Sequence, residues 1–103
     1  MKHVKARDYT ASRAWEALTL ATIDGVTARL HWTDKPYRWH ENDGLELFTV
    51  LDGAVDMHYR AAGAERIVRL EAGDSFLTEL GEEHSAHPVG EARVLVVERA
   101  GSA

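Results

Sequence analysis

Apolar and polar residues alternate in short runs along the whole chain, and the runs are separated by Gly and Asp turn signals. A period of two marks strands with one buried face, and its recurrence between closely spaced turns predicts an all-β sandwich or barrel. Leu18 to Ile23 leads into Asp24-Gly25, a dipeptide favoured in two-residue hairpins. Val26, Ala28, Leu30 and Trp32 then alternate with Thr27, Arg29 and His31, which predicts a hairpin burying the even positions and leaving His31 outside.

The run from Leu45 to Leu51 is apolar at nearly every position, too short for a typical helix and rich in aromatic and branched residues, so it predicts a strand covered on both faces. Val55, Met57 and Tyr59 alternate with Asp56, His58 and Arg60; the chain turns over Ala61 to Ala64, and Ile67, Val68 and Leu70 resume the pattern. Ser75 to Thr78 and Ala92 to Glu98 complete a set of roughly eight short strands, the number that lets a small barrel or jelly roll close its edges. The Ala, Leu, Trp and Glu content of Ala11 to Leu20 suits a helix. Trp15, Ala17 and Thr19 nonetheless alternate with Glu16, Leu18 and Leu20, and a first strand is the preferred reading.

With 103 residues the chain is sized for one domain over its whole length, 1–103. Its 28% charged and 45% hydrophobic residues match soluble globular proteins. A formal net charge of −5, with no run of Lys or Arg longer than two, provides no basic stripe for a phosphate backbone, so nucleic acid is not an expected partner. The absence of cysteine excludes disulfides, thiolate metal sites and cysteine nucleophiles. Lys2, Lys5 and Arg7 are followed by Asp8 and Glu16 before any apolar signal region forms, and no apolar stretch is long enough to span a bilayer. The expectation is therefore a mature chain starting at Met1, located in the cytoplasm without membrane contact.

His40, Asn42 and Glu46 occupy even positions around one strand-turn-strand segment, on the face shared with Phe48 and Val50. A carboxylate among inward apolar residues requires compensation, which a cation supplies. His84 follows Leu80-Gly81-Glu82-Glu83 on a separate strand. Two imidazoles and a carboxylate suit Fe(II), Mn(II), Ni(II) or Zn(II) and leave positions open for water or substrate. Spacing alone equally fits surface histidines with a hydrogen-bonded core glutamate.

The segment Trp39-His40-Glu41-Asn42-Asp43-Gly44-Leu45-Glu46, reaching Gly53 after six residues, resembles the first motif of the cupin family: Gly, five residues, His-x-His, three or four residues, Glu, six residues, Gly. Gly73, Gly81 and His84 fall at the offsets of the second cupin motif, and nineteen residues separate Gly53 from Gly73. The two halves lie at about 34–53 and 73–88, and the resemblance covers about residues 26 to 99. It implies a double-stranded antiparallel β-helix, or jelly-roll barrel, with His40, Glu46 and His84 as metal ligands. Asp34 stands in place of the first Gly, Glu79 of the Pro and Pro88 of the final Asn, and Asn42 occupies the position of the second ligand histidine. Asn42 is thus a fourth ligand only through its amide oxygen. A register with a four-residue spacer puts Trp39 and Glu41 at the ligand positions and is rejected because tryptophan does not ligate.

His31 and His58 oppose the inward residues of their strands and are read as solvent-facing or at a subunit contact. His87 has opposite parity to His84, which places it on the outer face unless Pro88 turns it toward the pocket. Trp15, Trp32 and Trp39 fit either a ligand-stacking set or core and interface packing, and packing is the preferred reading. The resemblance implies a small molecule in the barrel. It leaves open a metal-dependent enzyme of oxygenase or isomerase type, a non-catalytic binding or sensing module with weak or no metal, and a purely structural dimer. A homodimer through Leu47, Thr49 and Leu51, opposite Glu46, is expected.

Overall fold

Asp24 and Gly25 both adopt positive φ, 50° and 79°, the type I′ geometry whose twist matches that of the flanking strands. They join β1 (Ala17–Ile23) to β2 (Val26–Thr33) as the sequence pattern predicts. The computed structural model describes residues 1–102, and these continue through β3 (His40–Glu41), β4 (Glu46–Asp52), β5 (Ala54–Ala61), β6 (Ala64–Glu71), β7 (Ser75–Thr78), β8 (Glu83–Pro88) and β9 (Ala92–Arg99). A single 3-10 turn at Ala6–Asp8 precedes them. No helix among the described residues is long and apolar enough to cross a membrane.

The strands form two antiparallel sheets, one in the order β1-β2-β9-β4-β7 and the other β3-β8-β5-β6. This is the expected all-β jelly-roll architecture. Phe48, Val50, Val94 and Val96 from the first sheet and Val55, Met57, Leu70 and Ala86 from the second form the core between them. Val50, Val55, Met57 and Val94 are wholly buried. The crossing from β4 to β5 depends on Gly53, at φ +82°, where an added Cβ would stand 2.4 Å from the Glu91 carbonyl oxygen. No side chain fits so close an approach.

Three expectations are corrected. Residues 11–16 are not strand. They turn, with Trp15 at φ 66°, and β1 begins only at Ala17. On β2 the even face is not the barrel interior. Leu30 and Trp32 are buried, but on the side where Arg93, in register with Trp32, bonds Tyr9 O and Thr10 Oγ1 of the N-terminal segment. The odd residues share the interior face with Val94 and Val96, which are in register with His31 and Arg29. A period of two shows which residues share a face. It does not show which face looks inward when both are covered. Finally, the chain leaves the outer face of β4 open, with Leu47 36% and Leu51 39% exposed.

Candidate metal centre

His40 and His84 are register partners on β3 and β8, with ring centroids 4.3 Å apart, and Glu46 begins β4 in the facing sheet. The three residues that the sequence singles out come together: ligating atoms of His40, Glu46 and His84 all lie within 4.8 Å of one another. Glu46 and His84 are buried and His40 half-buried.

Asn42 completes the cluster. Its amide nitrogen donates to the Gly44 carbonyl at 3.2 Å and to Thr78 Oγ1 at 2.9 Å. A carbonyl only accepts, so this orientation fixes Oδ1 on the side of His84, 2.8 Å from Nε2. Glu46 Oε1 lies 3.1 Å from the same nitrogen and accepts a further bond from the Thr78 hydroxyl at 3.3 Å. Two oxygen acceptors thus converge on His84 Nε2, which carries the proton when no cation is bound. His84 Nδ1 is buried and has no partner among the described residues.

The arrangement suits a divalent ion. Bonds of about 2.0–2.2 Å set neighbouring ligand atoms about 3 Å apart, matching the His84–Glu46 separation. A cation at Nε2 would meet the same converging oxygens, with the imidazole hydrogen moved to the partnerless Nδ1. His40 Nδ1 faces the Arg38 carbonyl at 3.2 Å, so Nδ1 carries the hydrogen and Nε2 keeps its lone pair. Burial lowers the pKa of His40 against the opposing effect of that hydrogen bond, and its imidazole is neutral at pH 7.

Burial alone would raise Glu46, but the His84 hydrogen bond together with the His84 and His40 charges lowers it. Its cross-strand partner Glu98 moves the other way, to about 8, pushed by burial and then by the Glu46 charge. Within this carboxylate pair, Glu46 is ionised and Glu98 holds the proton at neutral pH.

The cluster opens into a cavity of about 170 Å³ lined by Trp15, Arg29, His31, Tyr37, Phe48 and Glu98 among others. His31, expected at solvent or a subunit contact, is instead a cavity wall, whereas Trp15 packs against the core as expected and lines the cavity as well. His31 Nδ1 donates to the Trp15 carbonyl at 2.8 Å, leaving Nε2 as an acceptor, and burial lowers its pKa. Glu98 was legible in principle, because it shares parity with Val94 and Val96 on the last strand. The placement of Trp15 depends on its left-handed backbone and on bonds from its amide to Trp32 O and from Nε1 to Lys35 O, each 2.8 Å, none of which the alternation of residues signals.

Of the other tryptophans, Trp32 packs as expected, and Trp39 lies half-buried under the Arg60 guanidinium. His87 stays on the outer face, stacked on His58 with ring centroids 3.9 Å apart. His58 therefore faces outward as expected but is half-covered.

A sequence profile of the family described as cupin domain matches residues 20–98. No curated protein sequence matches the chain. Among solved structures, a cupin-2 domain containing protein from Shewanella frigidimarina is similar at 22% identity, with 86% of this chain and 84% of that one covered and a TM-score of 0.77. A cupin superfamily protein from Desulfitobacterium hafniense shares 18% identity over 91% and 85% of the two chains, with a TM-score of 0.76. A hydroquinone 1,2-dioxygenase in complex with Fe3+ shares 16% identity and a TM-score of 0.77, with 87% of this chain covering 29% of that one.

Proposed function

The chain belongs to the cupin domain family, and from that premise we propose that it is a metal-dependent small-molecule enzyme of oxygenase or isomerase type. His40, Glu46 and His84 hold a divalent transition metal, Fe, Mn, Ni or Zn, with the Asn42 amide oxygen as a fourth donor. The carrying observation is the convergence of Asn42 Oδ1 and Glu46 Oε1 on His84 Nε2, at 2.8 and 3.1 Å, beside the His40 ring. The similar fold of an Fe3+-containing dioxygenase supports the same reading.

When bound, the ion supplies Lewis acidity at its open positions toward the cavity. The chain's own residues do the rest. Trp15 and Tyr37 wall the cavity, and the neutral His31 presents Nε2 as an acceptor for a ligand proton. Glu98 holds a proton at the cavity edge at neutral pH.

A specific observation favours a second reading. Without an ion, Asn42 and Glu46 already satisfy His84 Nε2, so the pocket stands as a metal-free binding or sensing site. Elemental analysis of tag-free protein, followed by melting curves with metal and with chelator, separates the two. An ion that binds the native state raises the melting temperature, whereas identical curves refute the metal reading. We also propose a homodimer, supported by the exposed apolar face of Leu47, Leu51 and Leu77.

A further inference from the structure

Arg29 projects to the interior side of β2, in register with Val96 of β9, and lines the same cavity as the metal cluster. Like Arg7, Arg38, Arg66 and Arg99 it forms no ion pair among the described residues, but it alone of these lines the cavity. A guanidinium at a cavity wall is a planar fork of donors matched to a carboxylate or phosphate. The rest of the wall joins the apolar and aromatic faces of Trp15, Tyr37, Phe48 and Val96 to the polar His31, Glu98 and the metal cluster. Trp15 meets Tyr37 edge-on at 5.4 Å, and its indole is fixed by the bond to Lys35 O.

Size narrows the ligand. A cavity of about 150 Å³ is known to take one benzene, so the 170 Å³ here admits one ring-sized body. Arg29 is the one arginine or lysine of this wall, and with Glu46 and Glu98 on the same wall a monoanionic carboxylate on an apolar frame is favoured over a phosphate ester of higher negative charge. Charge agrees: with a divalent ion in place, the pocket stays net positive even when Glu46 and Glu98 are both ionised.

We propose that this pocket binds a small carboxylic acid, its apolar body against Trp15 and Tyr37 and its carboxylate paired with Arg29. The proposal rests on the reading of the cavity as the ligand site and names the class of ligand it takes.

The test is calorimetric titration of zinc-loaded and chelator-treated protein, wild type and Arg29→Gln, with benzoate, benzamide and phenyl phosphate. Benzoate should bind wild type at least about tenfold tighter than its neutral isostere benzamide, the scale of one hydrogen bond to a charged group. In Arg29→Gln this preference should vanish while the melting temperature holds, because Arg29 is exposed and forms no ion pair among the described residues. No benzoate binding, no preference over benzamide, tighter binding of phenyl phosphate, or a preference that survives Arg29→Gln would each overturn the proposal. Arg29-dependent benzoate binding that ignores the chelator upholds the carboxylate site and counts against the metal reading. Zinc binding with Arg29-independent benzoate binding does the reverse.

Discussion

Asn42 Oδ1 lies 2.8 Å from His84 Nε2, so the residue standing where the family pattern has a second histidine still directs a donor atom at the centre of the cluster. An amide oxygen is a poorer ligand than imidazole for late first-row metals. The natural protein is therefore expected to bind metal weakly or substoichiometrically. Asn42→His should tighten Ni(II) or Zn(II) binding by an order of magnitude or more, roughly the scale that changes around a metal site produce. Matched calorimetric titrations check this, and equal or weaker binding by the variant refutes the assignment of position 42.

Most of the strands, the Asp24-Gly25 turn and the shared face of the candidate cluster were legible in the sequence for a common physical reason. Side-chain parity is local, so His40, Asn42 and Glu46 declare a common face from their spacing alone. The face itself is decided by what covers the sheet. Leu30 and Trp32 alternate as core residues do, but they are buried on the face where Arg93 bonds the N-terminal segment, and His31 on the opposite parity reaches the cavity. The alternation of Trp15 with Glu16 likewise suggested a strand where the chain turns through a left-handed residue. Such a backbone is uncommon for a bulky side chain and leaves no periodic trace.

The half-buried His31 carries a pH signature. Its folded pKa is lowered, chiefly by burial, so the unfolded chain takes up the proton first as pH falls below about 6.5. Its contribution is complete above that value and is lost toward lower pH. Urea midpoints between pH 7.5 and 5 should fall more steeply for wild type than for His31→Gln, whose amide still donates to the Trp15 carbonyl. Parallel profiles would show that His31 is not buried in neutral form.

Glu98 gives the opposite slope. With its folded pKa raised to about 8, first by burial and then by Glu46, its favourable contribution is complete below about pH 4.5 and is lost as pH rises through 8. Glu98→Gln should match wild type near pH 5 and exceed it at pH 8.5 by about 1–2 kcal/mol, a figure reduced for the solvent screening of a half-exposed group. Denaturant unfolding at the two pH values is the check, and an equal difference at both would contradict the coupling.

Leu47 stands in register with Leu77 and Val97 on the outer face of the first sheet, and Leu77 is 52% exposed. Burying that stripe against a second copy removes apolar surface from water. Light scattering at micromolar concentration should report the proposed homodimer, and Leu77→Lys should shift it toward monomer. A monomeric wild type would count against the dimer.

The central claim is that His40, Glu46 and His84 hold one ion, and the most direct measurement is calorimetric titration of Zn(II) or Ni(II) into chelator-stripped, tag-free protein and its Glu46→Gln variant at pH 7.5. Carried to saturation, wild type should bind about one ion per chain, and Glu46→Gln should lose that site. An absence of binding by wild type, or an unchanged isotherm in Glu46→Gln, would contradict the account.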